Sequence, residues 1–196
     1  MATRIDPALW RAIVAARPGG ELFSRLSKTG LPLFGTKVSN ISFLDPLVRR
    51  KLRAFFAAEK VDTVIMNLPS DLKAAGPAAK NAGTRNIVYR RGSAIPVRDT
   101  FLNRHLFRDC LTAVIANSIE TKRTILANNS GLIDPERIEV IYNGIDLAAW
   151  DAEERTVIHK PRPGEIVIGS AGRLVGQKGQ SFLIDLAAVL ERRGLD

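Results

Sequence analysis

Apolar positions in this chain fall into short runs and helical stripes, and the two alternate along most of its length. Residues 8–17, Ala-Leu-Trp-Arg-Ala-Ile-Val-Ala-Ala-Arg, read as a first strand closed by the turn Pro18-Gly19-Gly20. Glu21 to Lys28 reads as a short helix with Leu22 and Leu26 inward, stopped at Gly30. Leu31 to Val38 is the next strand. Val48, Leu52, Phe55 and Phe56 then recur at the spacing of one helix face, and Arg49, Arg50, Lys51 and Arg53 occupy the other.

The middle of the chain keeps the same rhythm. Val61–Met66, Asn86–Tyr89, Leu111–Ala116 and Ile138–Tyr142 read as strands. Helices are expected over Asp71–Ala82, kinked or split by Gly76-Pro77, and over Thr100–Asp109. A third covers Ile119–Ala127, capped by Ser118 with Glu120 in its first turn. Strand and helix alternating through short connections predict an α/β fold, a parallel sheet with helices on both faces. Residues 145–164 break the pattern, with charges around Trp150 and then Lys160-Pro-Arg-Pro-Gly164, and read as an interdomain linker. Beyond it remains about one strand and one helix. A single such unit cannot bury its own apolar face, so it docks elsewhere or belongs to a longer protein.

That last unit carries the most specific chemistry. Ile166-Val-Ile168 reads as a buried strand, a turn with Gly169, Gly172, Gly176 and Gly179 follows, and Leu183, Leu186, Ala187 and Leu190 mark an amphipathic helix. A strand, a Gly-rich turn and a helix start deliver backbone N–H groups to phosphate, and Arg173 and Lys178 add positive charge suited to a diphosphate. The spacing is neither a Walker loop, since Gly179 follows Lys178, nor a dinucleotide fingerprint. The alternative is a loop whose glycines serve only tight turning beside solvated cations.

Composition narrows the partners. The chain has 196 residues, 45% of them hydrophobic, enough for a packed core in one domain or a domain and a half. A net charge of +9 favours anionic partners: nucleic acid, anionic lipid or phosphorylated small molecules. One cysteine, Cys110, excludes an intramolecular disulfide, and with two histidines, His105 and His159, makes a zinc site poorly supplied. No apolar run reaches the length of a membrane span, and the first residues lack the apolar core of a signal peptide. The protein is expected in the cytosol, with peripheral attachment to the inner face of the plasma membrane left open.

Six arginines, Arg85, Arg90, Arg91, Arg98, Arg104 and Arg108, crowd one stretch. They form either a basic wall for an anionic acceptor or a set of solvated surface charges. Arg90-Arg91-Gly92 is the stronger half, because it ends a parallel strand, where ligands collect in open α/β sheets. Arg49 to Arg53 read as solvated helix surface, or as contacts to anionic lipid headgroups beside exposed apolar residues. His105 reads as a helix-face residue, and Trp10 and Trp150 as packing residues.

Four stretches taken in order resemble the GT-B fold glycosyltransferases of family 4. They are Arg17-Pro-Gly-Gly-Glu-Leu22 with Gly30-Leu-Pro32, Val114-Ile-Ala-Asn-Ser118 with Thr121-Lys122, Pro135–Asp146, and Gly169–Gln180. The resemblance implies an incomplete GT-B N-terminal, acceptor-side domain over residues 1–144. A linker over 145–164 and the first βα unit of a Rossmann-like, donor-binding domain over 165–196 follow. It implies transfer of a sugar from a UDP- or GDP-sugar to a saccharide or lipid-linked acceptor, usually with retention. The pathway expected is surface glycan or lipopolysaccharide synthesis.

Gly172, Arg173 and Lys178 would hold the donor diphosphate, and Arg90 and Arg91 the acceptor. No metal or other cofactor is expected, because GT-B enzymes mostly act without one. The family's first strand and Gly-rich loop would precede the first strand here, and its Glu-x7-Glu signature would lie beyond Asp196. The expectation is therefore a chain truncated at both ends and inactive alone. A histidine frequent in the family after the strand Ile87–Tyr89 is replaced here by Arg90-Arg91-Gly92-Ser93, so no catalytic residue is assigned. Two other readings stay open: a non-catalytic module of the same fold that binds sugar nucleotides or anionic glycans, and a basic nucleic-acid-binding domain. The last lacks interleaved aromatics and any recognised motif, so nucleic acid is the weakest partner.

Overall fold

Every strand pairing among the described residues is parallel, as apolar runs separated by helices require. The computed structural model describes residues 5–154 and 156–194. The chain divides into two units, Met1–Gly144 and Ile145–Asp196.

In the first unit β1 (Val14–Ala16) pairs with β2 (Leu33–Gly35), and α1 (Glu21–Leu26) connects them. A separate four-stranded sheet runs in the order β3 (Thr63–Met66), β4 (Asn86–Arg91), β5 (Ala113–Ala116), β6 (Ile138–Val140). Its register sets Val64 beside Ile87, Met66 beside Tyr89, and Val114 beside both Tyr89 and Ile138. These residues are buried and share one face, because side chains alternate along a strand. The connections β3 to β6 all advance in one direction. The right-handed crossover rule therefore lays their helices on that same face. They are α3 (Pro69–Asn81), α4 (Phe101–Arg104) with a π-helical turn over His105–Cys110, and α5 (Ile119–Leu126). Phe107 from the π turn meets Tyr89 edge-on, with ring centroids 6.1 Å apart. The opposite face carries exposed Ile65 and Ile141 and half-buried Val88 and Ile115.

Helix α2 (Pro46–Ala58) follows a 3-10 turn at Ser42–Leu44. Asp45 caps it, accepting from the N–H of Leu47 at 2.8 Å, and Pro46 fills the first position, where no donor is needed. Leu52 and Phe56 are buried, Phe55 stacks on Phe34 of β2 at 3.8 Å, and the arginines face out.

Several expectations are corrected. Only Val14–Ala16 of residues 8–17 is strand, because β2 offers just three partners. In α1, Leu22 is exposed while Phe23 is half-buried beside Gly35. Helix α3 runs unbroken through Pro77. The proline forgoes one hydrogen bond, which burial of Leu72, Ala74, Ala75, Ala78 and Ala79 on the core side outweighs. Where one helix was expected over Thr100–Asp109, the second half widens into a π turn, closed by the Leu111 N–H to the Leu106 carbonyl at 3.0 Å. Trp10 is exposed rather than packed.

In the second unit, α6 (Leu147–Ala152) forms inside the stretch read as a linker, because Asp146 caps it through the Ala149 N–H at 3.1 Å. Trp150 on it is exposed. The strand expected at Ile166-Val-Ile168 is not formed, and these residues are 83%, 52% and 58% exposed. A strand needs a partner for its ladder, and among the described residues no strand pairing includes this segment. Helix α7 (Gln180–Arg192) does form, with Leu183, Leu186 and Leu190 half-buried and Ala187 exposed.

Candidate functional site

In parallel sheets every strand ends on the same side, and the residues just past those ends converge. Here that edge holds a cleft of about 470 Å³ lined by Asn67, Leu68, Pro69, Tyr89, Arg90, Arg91, Gly92, Ser93 and Ile95. Asn67 and Leu68 follow β3 and lead into α3, whose first turn points backbone N–H groups toward the same space. Asp71 in that turn accepts from the Leu68 N–H at 3.2 Å. Burial pushes its carboxyl above the usual range, partly offset by hydrogen bonds from Leu68, Ser70 and Asn67.

Two arginines end β4. Strand alternation sends them to opposite faces, and both line the cleft. Arg90 donates to the Asn143 side-chain oxygen at 2.6 Å. Arg91 donates through one terminal nitrogen to the Ile95 carbonyl, which folds the following loop over the strand end. The Tyr89 hydroxyl pKa is raised by burial and partly lowered by the Arg91 cation nearby. The Arg91 Nε–H is buried and has no protein partner. A buried cationic donor without a protein partner is rare in folded proteins, and it marks Arg91 as the notable side chain of the cleft.

The floor of the cleft is braced by Asn117, just past β5. Its N–H donates to the Arg91 carbonyl at 3.2 Å, and its side-chain oxygen accepts from the Thr121 hydroxyl at 2.8 Å. Ser118 caps α5 through the Thr121 N–H at 3.1 Å. Asn67, Tyr89, Asn117 and Asn143 were not singled out as site residues by sequence. Their shared signal is position, at or just past the carboxyl ends of predicted strands.

The second unit holds the Gly-rich loop. A 3-10 turn at Gly176–Lys178 folds it back, and Gly179 adopts φ +65°, a conformation glycine takes without strain, to start α7. The Lys178 methylenes lie 3.5 Å from where a Cβ on Gly172 would stand. Gln180 donates to the Arg173 carbonyl at 3.0 Å. Gly172, Lys178 and the backbone of Arg173 are thus within one small fold, and Arg173 and Lys178 are exposed. A groove of about 440 Å³ along α6 has charged lining residues Asp146 and Glu153, the wrong sign for a phosphorylated ligand.

Cys110 is buried at the π turn and its thiol pKa is raised by desolvation, which suits a core residue and not a nucleophile. His105 sits beside it on the helix surface, 2.8 Å from Asp109. No group of three or more metal-ligating side chains occurs among the described residues.

The model of Glycosyltransferase Family 4 matches residues 11–149. Comparison with curated proteins gives no match. Among solved structures, HepE of Anabaena, determined in complex with UDP and glucose, is similar at 22% identity with a TM-score of 0.54. The match covers 70% of this chain and 38% of HepE. A glycosyltransferase from Rickettsia africae is similar at 19% identity with a TM-score of 0.55, over 71% of this chain and 36% of its own. The chain therefore spans less than two fifths of the structures it resembles, and at these identities the likeness is one of fold.

Proposed function

The chain belongs to Glycosyltransferase Family 4, and on that premise we propose that its first unit receives the acceptor and its second unit begins the donor site of a sugar transferase. The donor is a uridine or guanosine diphosphate sugar, and the acceptor a saccharide or lipid-linked glycan. The bond from the anomeric carbon to the diphosphate breaks, a bond to an acceptor hydroxyl oxygen forms with retention, and that hydroxyl's proton passes to an oxygen of the departing diphosphate. Negative charge grows on the departing diphosphate. Arg173 and Lys178 stabilise it more in the transition state than before reaction, with main-chain amides of the Gly172 turn beside them. HepE, alike in fold, was determined with UDP and glucose, which supports a nucleotide sugar as donor.

The observation that carries this reading is the cationic cleft at the carboxyl ends of β3 and β4, within the residues the family model spans. It suits an acceptor with an anionic group, seated at Arg91 with Arg90 alongside. Such acceptors belong to surface glycan or lipopolysaccharide assembly at the inner face of the plasma membrane. For the donor half, calorimetric titration of UDP and of GDP into the chain and into Arg173→Ala is the test. One diphosphate should bind, and the variant should bind it about tenfold more weakly, the worth of one charge-assisted hydrogen bond. Equal affinity in both proteins removes Arg173 from the site.

A further inference from the structure

Three large apolar side chains stand outside the core beside α2: Ile41, Leu44 and Leu47, exposed by 71%, 71% and 73%. Their exposure is built in. Ser42 is buried between the first two and accepts from the Ser39 N–H at 2.9 Å, which fixes the 3-10 turn. Asp45 caps α2 through the Leu47 N–H, which fixes the turn's exit. Helix geometry then places Arg50 one turn along from Leu47, on the side of α2 away from buried Leu52 and Phe56, and Arg53 one turn beyond Arg50. Among residues 39–58 the cations are Arg49, Arg50, Lys51 and Arg53, and the one acid is Asp45, already engaged as the cap. No ion pair among the described residues uses Arg49, Arg50 or Arg53.

The patch lies close to the cleft. Phe43, inside the same turn, has the Lys73 ammonium 5.7 Å from its ring centre. Lys73 is four residues along α3 from Pro69, which lines the cleft, or roughly 6 Å of helix rise.

We propose that Ile41, Leu44 and Leu47, flanked by Arg50 and Arg53, form a docking surface for an anionic phospholipid bilayer. The apolar side chains enter the headgroup boundary and the guanidinium groups meet lipid phosphates. A protein partner of matching shape would need acids opposite these arginines, whereas an anionic leaflet supplies negative charge everywhere. The surface rests on the proposed use of a lipid-linked acceptor, since it would hold the nearby cleft at headgroup level.

Cosedimentation of the chain with phosphatidylcholine vesicles, with and without phosphatidylglycerol, is the test. The chain should bind the anionic vesicles, bind them less as salt rises, and leave the neutral ones largely unbound. The triple variant Ile41→Ser/Leu44→Ser/Leu47→Ser should partition roughly tenfold less or weaker, and Arg50→Glu/Arg53→Glu comparably. Phe101→Ser, an exposed apolar change outside the patch, should bind as the parent does. All four positions of the apolar variants are exposed, and unchanged thermal melts check that the proteins remain folded. No binding to anionic vesicles, equal binding by the triple variant, or equal binding to neutral vesicles overturns the proposal. So does a concentration-dependent dimer that the triple variant abolishes without any vesicle binding, which would give the patch to a second copy. No nucleotide or acceptor enters this assay, so its failure and failure of the transferase reading are separable.

Discussion

Arg91→Met separates a ligand-holding arginine from a structural one. The substitution keeps an unbranched side chain of similar length, removes the guanidinium, and so deletes its bond to the Ile95 carbonyl. A hydrogen bond from a charged group contributes about 1.5–3 kcal/mol, so loss of the loop tie alone would be clearly destabilising. The same substitution removes the buried Nε–H that has no protein partner, and an unsatisfied buried donor costs about 1–3 kcal/mol. The two nearly cancel, and urea unfolding of the variant should stay within about 1 kcal/mol of the parent. Binding has no such offset. If the free Nε–H serves a phosphate on the acceptor, its loss costs about 1.5–3 kcal/mol, roughly a tenfold to hundredfold drop in affinity. The assay is calorimetric titration of a phosphorylated saccharide into both proteins, alongside the unfolding curves. A variant several kcal/mol less stable that binds with unchanged affinity would refute the reasoning and make Arg91 a brace for the loop.

Other perturbations probe different levels of the molecule. Leu106→Ala empties a site with no solvent exposure under the π turn and should lower unfolding free energy by about 2–5 kcal/mol, measured in urea. The Asp99 carboxyl is held down to about 2, first by the Arg104 guanidinium and then by Asn129. Its folded pKa lies below its unfolded one, so its contribution is present above the ordinary value of 3.8 and is lost as pH falls from there toward 2. Asp99→Asn should therefore flatten the stability profile over that window, and an unchanged slope in acid titration would contradict the contact. Gly179→Ala forces a side chain into φ +65° at the start of α7 and should cost about 1 kcal/mol, read as a lower melting temperature.

Much of the fold was legible because burial leaves a period in the sequence. The stripe Val48, Leu52, Phe55, Phe56 became α2, and Ser118 capped α5 as its chemistry requires. The parallel alternation came from connection lengths that only βαβ units explain. Leu22 failed because a six-residue helix has two apolar edges and only the packing partner, near Gly35, selects Phe23. Ile166–Ile168 failed because an apolar run records a tendency to pair, while pairing needs a neighbouring strand. Pro77 failed because the cost of one missing hydrogen bond was visible and the compensating burial of five neighbours was not.

By itself the sequence determined most element types of the first unit, the sign of the charge, and the placing of Arg90 and Arg91 at a strand end. Those properties depend on neighbours a few residues away. Only the tertiary structure decided that Asn143 holds Arg90, that Asn117 braces Arg91, and that Asn67 and α3 close the other side of the cleft. These contacts join residues tens of positions apart, and sheet order and register bring them together. Strand periodicity fixes which way a side chain points, but not which strand stands next to it.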